Sequence, residues 1–240
     1  MDIVTSLVIG RKGSSFKNKN VRFVYGFPLV MWPCAAARRS KYINKFYCSS
    51  DSDEILEVCE KLNYIPIKRP NHLAKPESQS CDAVRHAVKF IEENLKKKID
   101  ILVLQHANVG TITEHMIDAC IDLLMKNPNA TAVIPSHQKS DYHPARAKIL
   151  NSDGFLEQAI EGKSSANRQD LNAAYFFDHS FWVIRGEFFK RRDGQSPWNC
   201  MGNRILPFET QGCFDVHSQE DLDLTANWLK ENNIPSPIAK

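Results

Sequence analysis

Five short apolar runs alternate with amphipathic helical patterns over the first 135 residues, and few architectures accept that rhythm. The runs cover residues 2–9, Lys45 to Ser49, Tyr64 to Ile67, Ile99 to Leu104 and Thr131 to Pro135. Between them, apolar side chains recur at helical spacing. One such pattern starts at Pro28 (Leu29, Met31, Trp32, Ala36), where a proline suits a first helical position. A second opens at Ser50-Asp51-Ser52-Asp53-Glu54 with carboxylates at the positive end of its dipole, and carries Ile55, Val58, Cys59 and Leu62. A third spans Gln79 to Leu95, and a fourth begins at Thr113 and runs through Met125. Strand, helix, strand, helix in this order predicts an α/β fold, with a mostly parallel sheet flanked by helices on both faces and right-handed crossovers.

The second half has another texture. Ala145 to Leu150 and Phe155 to Ala159 flank Asn151-Ser152-Asp153-Gly154, a pattern for a β-hairpin. Residues 161–171 are polar and read as loop. Ala174 to Ile184 is aromatic and strand-like, Phe208 to Val216 leads to Asp215 and His217, and Ser218-Gln219-Glu220-Asp221 caps a last helix ending about Glu231. At 240 residues the chain is expected to form a single domain, with 140–175 as an excursion from it.

Composition narrows the functional classes. A net charge of +3 argues against a dedicated nucleic-acid binder but is compatible with a local anion pocket. The seven cysteines are scattered singly without a C-x-x-C, so neither a zinc cluster nor a disulfide framework is expected, and free thiols in a reducing cytoplasm are. No apolar stretch approaches the roughly 18 residues of a membrane span. The amino terminus lacks the basic segment of a signal peptide. No membrane partner is expected.

In open α/β sheets ligands sit beyond the carboxyl ends of the strands. The first run empties at Gly10 into a loop with cations, serines and asparagines (Arg11, Lys12, Gly13, Ser14, Lys17, Lys19, Asn20). Small residues let backbone N–H groups approach a phosphate, and the cations neutralise it. An ordinary solvated loop fits that stretch equally well. Three further segments fall at strand ends: Arg69 with the loop to Ser80 and Asp82, Gln105-His106-Ala107-Asn108, and Asp215-Val216-His217. A cationic loop, polar groups after several strands and a late carboxylate together suit a nucleoside triphosphate with Mg²⁺.

Those segments, in order, resemble the CMP-N-acylneuraminate (CMP-sialic acid) synthetase family. Arg11, Gly13, Ser14, Lys19 and Asn20 are similar to its R-x-G-S-K…K-N loop, and Gly26-Phe27-Pro28-Leu29 to its G-K-P-L. Cys48 to Ile55 resembles V-S-T-D-D-E-E-I. Arg69-Pro70 with Leu73-Ala74 resembles R-P-x-x-L-A, and Ser80-Cys81-Asp82 resembles S-I-D. Arg168-Gln169-Asp170-Leu171 matches R-Q-D-L, and Phe214-Asp215-Val216-His217 with Glu220-Asp221-Leu222 resembles V-D-I-D-x-x-E-D-L.

The resemblance implies a nucleotide-diphospho-sugar-transferase-type fold in a homodimer, the hairpin region serving dimerisation. It also implies transfer of CMP from CTP to the anomeric hydroxyl of a sialic-acid-like 3-deoxy-2-ulosonic acid. Under it, Arg11, Gly13, Ser14 and Lys19 would hold the triphosphate, with Arg11, Lys19 and Asp215 carrying the chemistry. Asn20, Arg69, Ser80 and Gln105 would hold the nucleoside. Lys148, Arg168 and Gln169 would meet the sugar, and Asp215 with His217 the metal, Mg²⁺ or Mn²⁺. Three departures bear on this. The opening loop is one residue shorter, with Ser15 in place of a lysine; the family's Q-P-T-S-P is Gln105-His106-Ala107-Asn108-Val109; and the second metal aspartate is His217. They keep two other readings open: a nucleotide-binding relative without catalysis, and a nucleotidyltransferase for a different sugar or base.

Overall fold

The computed structural model describes residues 2–12, 16–139, 142–162, 164–165 and 167–239. Strand β1 (Val4–Ile9) lies inside the main sheet, paired in parallel with β4 (Lys45–Ser50) on one side and β6 (Ile101–His106) on the other. All six of its residues are buried, so its sequence, mostly apolar with only the small hydroxyls of Thr5 and Ser6, lacks the alternation of a half-exposed strand. β5 (Ile65–Lys68) continues the parallel set beyond β4.

Beyond β6 the sheet becomes mixed. β11 (Phe181–Arg185) is antiparallel to β6 and to β7 (Ala132–Gln138), and therefore sits between two strands that run the same way. β7 also pairs with β10 (Tyr175–Phe177), antiparallel, and with β12 (Ile205–Glu209), parallel. Six of the eight strands thus share one direction, and β10 and β11 oppose them.

Both faces are covered. Leu102 and Leu104 pack with Val84, Ala87, Val88 and Ile91 of α3 (Ser80–Leu95). Ile101 and Val103, pointing the other way, pack with Ile117, Cys120, Ile121 and Leu124 of α4 (Glu114–Lys126). Each such buried Val, Leu or Ile side chain contributes about 1.5–3 kcal/mol relative to exposure. α1 (Met31–Arg39) and α2 (Asp53–Glu60) cover Val8 and Cys48. α5 (Gln219–Glu231) is closed by a full capping box between Ser218 and Asp221, and packs Leu222 and Leu229 against Val24, Leu29 and Trp32. The end of the chain therefore returns to the opening loop.

Several elements differ from the sequence expectation. The helix expected from Pro28 starts at Met31, because β2 (Phe23–Val24) and β3 (Phe27–Pro28) form a tight hairpin first. Its turn, Tyr25-Gly26, has positive φ at both residues (47° and 88°), the geometry of a two-residue hairpin loop. Pro33 then falls within the first helical turn, where a missing N–H costs little. The strand expected over 174–184 is broken. Phe177 faces Ser136 and Val183 faces Val133, so six residues on one side span three on the other. Buried Asp178 braces this break, its carboxylate accepting from Ser180 N at 3.0 Å and Thr210 Oγ1 at 3.1 Å. In the 208–216 stretch the regular strand is β12, which ends at Glu209; Asp215 makes an isolated bridge to Val109. The expected hairpin is present as β8 (Lys148–Leu150) and β9 (Leu156–Gln158).

Candidate functional site

The carboxyl ends of β1, β5 and β6 open on one cavity of about 530 Å³. Four cations line it, Arg11, Lys19, Arg69 and Lys75, and among the described lining residues there is no carboxylate. A concave, low-dielectric wall with one sign of charge concentrates polyanions.

Each cation is held by a different part of the chain. Gly10 lets the backbone turn out of β1, since a Cβ there would lie 2.8 Å from the Ala107 Cβ. Arg11 follows, donating from Nη1 to the Lys75 carbonyl at 3.1 Å. Lys19 and Asn20 form a 3₁₀ turn, Lys19–Val21, and both are buried. Lys19 Nζ donates to the Val216 carbonyl at 2.6 Å and lies 3.4 Å from His217 Nδ1. Burial lowers its pKa; the Asp215 carboxylate opposes that shift and Arg11 adds to it. Asn20 donates to the Arg11 carbonyl at 3.1 Å, while its own Oδ1 is buried without a partner.

Arg69, only 6% exposed, reaches back along the strand ends to the Ser49 carbonyl at 2.9 Å and the Ser49 hydroxyl at 3.4 Å. Burial lowers its pKa against the pull of Asp51. Ser80, the first residue of α3, lines the cavity beside Gln79, whose side chain makes no cap bond. The positive end of a sixteen-residue helix therefore adds to the field.

The late segment closes the other side. Asp215 accepts from the Asn108 side-chain amide through Oδ1, and its Oδ2 is 3.2 Å from His217 Nε2. Val216 N donates to the Asn108 carbonyl at 3.1 Å. Residues 107 positions apart in sequence are thus buckled together next to Lys19.

The structure gathers Arg11, Lys19, Asn20, Arg69, Ser80, Asp215 and His217 around or beside the cavity. Gly13 and Ser14 lie outside the described residues. Gln105 is different from the expectation. It is fully buried in β6, its Oε1 accepting from Ser6 Oγ at 2.7 Å and its Nε2 donating to the Pro33 carbonyl at 2.7 Å. Its amide joins the sheet to α1 and does not line the cavity. Gln105→Leu should accordingly leave the KM for nucleotide within about twofold, while removing two buried hydrogen bonds and costing roughly 2 kcal/mol in urea denaturation. Lys148 on β8 and Gln169 do not line the cavity either, and Arg168 belongs to the 3₁₀ turn Arg168–Asp170. The lining residues outside the expected set include Lys75 and His106. Lys75 carried no motif. His106 belongs to the Gln105-His106-Ala107-Asn108 segment and, as the last residue of β6, stands at the sheet edge.

Comparison with known proteins follows the same line. A family model described as Cytidylyltransferase matches residues 5–214. The chain is 23% identical over 238 residues to a Campylobacter coli protein named post-translational flagellin modification protein B, covering 98% of both. It is 22% identical over 208 residues to a Helicobacter pylori protein named pseudaminic acid cytidylyltransferase and UDP-2,4-diacetamido-2,4,6-trideoxy-beta-L-altropyranose hydrolase, covering 86% of this chain and 39% of that one. The solved structure of CMP:2-keto-3-deoxy-manno-octonic acid synthetase complexed with CTP shares the fold, with a TM-score of 0.70 over 96% of this chain and 100% of that one at 12% identity.

Proposed function

Because the chain belongs to the cytidylyltransferase family, we propose that it transfers CMP from CTP to the anomeric hydroxyl of a sialic-acid-like 3-deoxy-2-ulosonic acid, releasing pyrophosphate. The observation that carries this reading is the cavity at the carboxyl edge of the sheet, with four cations and no carboxylate among its described lining residues. Relatives named for pseudaminic acid and a fold neighbour named for an eight-carbon keto-deoxy acid support the substrate class.

The reaction requires a hydroxyl oxygen to attack the α-phosphorus in line with the departing pyrophosphate. Negative charge then builds on the phosphoryl oxygens and the leaving group. Arg11 and Lys19 face that charge as fixed cations in a partly desolvated site, where such stabilisation is strongest. Arg69 and Ser80, with Asn20, hold the nucleoside end, and Gly13 and Ser14 are assigned to the phosphates by the sequence resemblance alone. For the metal, the donor set is one carboxylate, Asp215, and one imidazole, His217, and no cluster of three or more His, Cys, Asp or Glu groups is present among the described residues. Mg²⁺ commonly takes one or two protein carboxylates and completes its shell with waters and substrate phosphates. Asp215 therefore suits it as the anchor, and His217 moves the preference toward Mn²⁺. When bound, the ion would neutralise charge on the phosphates.

The proposal extends to a homodimer in which Lys148, Arg168 and Gln169 approach the partner's acceptor. The β8–β9 hairpin and its flanks expose Leu150, Phe155 and Leu156 at 68–72%. Such clustered apolar surface marks an interaction site. The double variant Leu150→Asp, Leu156→Asp, at facing positions of the hairpin, should sediment as a monomer where the parent sediments as a dimer.

The direct test is pyrophosphate release from CTP with Mg²⁺ or Mn²⁺ and a panel of N-acetylneuraminic, pseudaminic, N,N'-diacetyllegionaminic and 2-keto-3-deoxy-manno-octonic acids. A thermal-shift screen of CTP, UTP, GTP and ATP on the same sample should show the largest rise with CTP. Silence across the panel, or preference for another base, would reject the reading.

A further inference from the structure

The cavity is walled mainly by hydrogen-bond donors, yet one of its residues is fixed as an acceptor. His106 is the last residue of β6 and pairs in register with Ile9 of β1, so it stands at the same sheet edge as Arg11. Its Nδ1 lies 2.7 Å from the His179 carbonyl. A carbonyl only accepts, so Nδ1 carries the proton and Nε2 keeps a lone pair. No described residue hydrogen-bonds to Nε2, and the residue opens on the cavity. The ring cannot readily swing away. It packs edge-on against Trp182, with centroids 4.9 Å apart, and Trp182 is itself buried in the core.

We propose that His106 is a substrate-contacting residue whose Nε2 accepts a hydrogen bond from a hydroxyl of the acceptor sugar, positioning that sugar beside the phosphate to be attacked. This rests on the cytidylyltransferase reading above. Three stations follow one another along the sheet edge: Arg69 after β5, Arg11 after β1, and His106 at the end of β6. Neighbouring strands are about 4.8 Å apart, so β5 and β6, three intervals distant in the order β5-β4-β1-β6, are separated by roughly 14 Å. A nucleoside at the Arg69 and Ser80 end, with its phosphates over Arg11 and Lys19, leaves the His106 end for the second substrate. A phosphate oxygen is itself an acceptor and gains nothing from a lone pair, whereas a sugar hydroxyl can donate to it. Burial keeps the imidazole neutral, with a pKa lowered to about 4, and the nearby His179 works in the same direction against the pull of its own backbone bond, Asp215 and Asp178. Nothing in the resemblance supplies this group, since the corresponding position in that pattern is a proline, which has no side-chain acceptor.

The test uses the full chain with CTP, metal and whichever acid of the panel the parent turns over, measuring the KM of each substrate separately and the Kd for CTP by calorimetry. His106→Ala should lower kcat/KM for the acid by about 10- to 100-fold, with the CTP Kd changed by less than about twofold. His106→Gln, which restores an acceptor oxygen, should recover about tenfold of that loss. His106→Phe, which keeps the ring against Trp182 without an acceptor, should behave as the alanine variant. Parental kcat/KM for the acid in all three variants, or a loss of CTP affinity as large as the loss for the acid, would overturn the assignment of His106 alone. A parent inactive on the whole panel would instead overturn the underlying activity, and this proposal with it.

Discussion

Asp215→Asn is expected to lower pyrophosphate release by about 10³-fold without unfolding the protein. Replacing the aspartate by its amide isolates charge from shape. The asparagine Oδ1 still accepts from Asn108, and the bridge to Val109 is made by backbone alone. What disappears is the negative charge that would anchor the divalent ion and that faces Lys19. An ion on a transferring phosphoryl group supplies several kcal/mol of stabilisation, and each 1.36 kcal/mol is tenfold in rate. Melting temperature and CTP affinity without metal should stay near parental values, and the apparent metal affinity from a Mn²⁺ titration should fall. Activity within tenfold of the parent would remove Asp215 from the chemistry.

Lys19→Met is expected to lower kcat/KM for CTP by about 10²–10³-fold, the range found when one preorganised donor is deleted from a charge-stabilising site. Methionine keeps the apolar stem in the buried turn while removing the ammonium. It also orphans the Val216 carbonyl, costing about 1–3 kcal/mol of stability, so urea denaturation must accompany the kinetics. The parent should show a matching pH dependence. Burial holds the Lys19 ammonium below the ordinary value of 10.5 in the free protein, and a bound triphosphate raises it again. Nucleotide binding therefore takes up a proton at alkaline pH, and affinity falls as pH rises through the lowered value, before an ordinary lysine would titrate. The same shift affects folding with the opposite trend. A lysine depressed in the folded state binds fewer protons there than in the unfolded chain, so its contribution to stability rises with pH between the lowered value and 10.5. Calorimetry in buffers of different ionisation enthalpy would detect the proton, and Lys19→Met should abolish its uptake.

The parallel half of the sheet was legible because burial on both faces leaves a mostly apolar run without strand alternation, as in Val4–Ile9, and because α3 and α4 keep one apolar face each. The opening loop, Arg69 and Ser80 were legible because a residue directly after such a run must stand at the sheet edge. Gln105 misled for a related reason. One position before the end of β6, its side chain points into the layer beneath α1 and is held there by Ser6 and Pro33, contacts 99 and 72 residues away that no local pattern reveals. The insertion of β11 between β6 and β7 was equally invisible, since strand partners are chosen by tertiary packing and not by spacing along the chain. The Tyr25-Gly26 turn carries little local signal, because tyrosine is not a usual residue for positive φ.

The wedging of β11 between β6 and β7 has a consequence for how the polypeptide is made. Until residue 185 has emerged from the ribosome, the two earlier strands cannot be bridged, and each presents a bare row of amide and carbonyl groups. Long-range closure of this kind is slow, and the waiting species is prone to stick to its own kind. A nonsense product ending near residue 170 should therefore collect in inclusion bodies rather than persist as a miniature version of the protein.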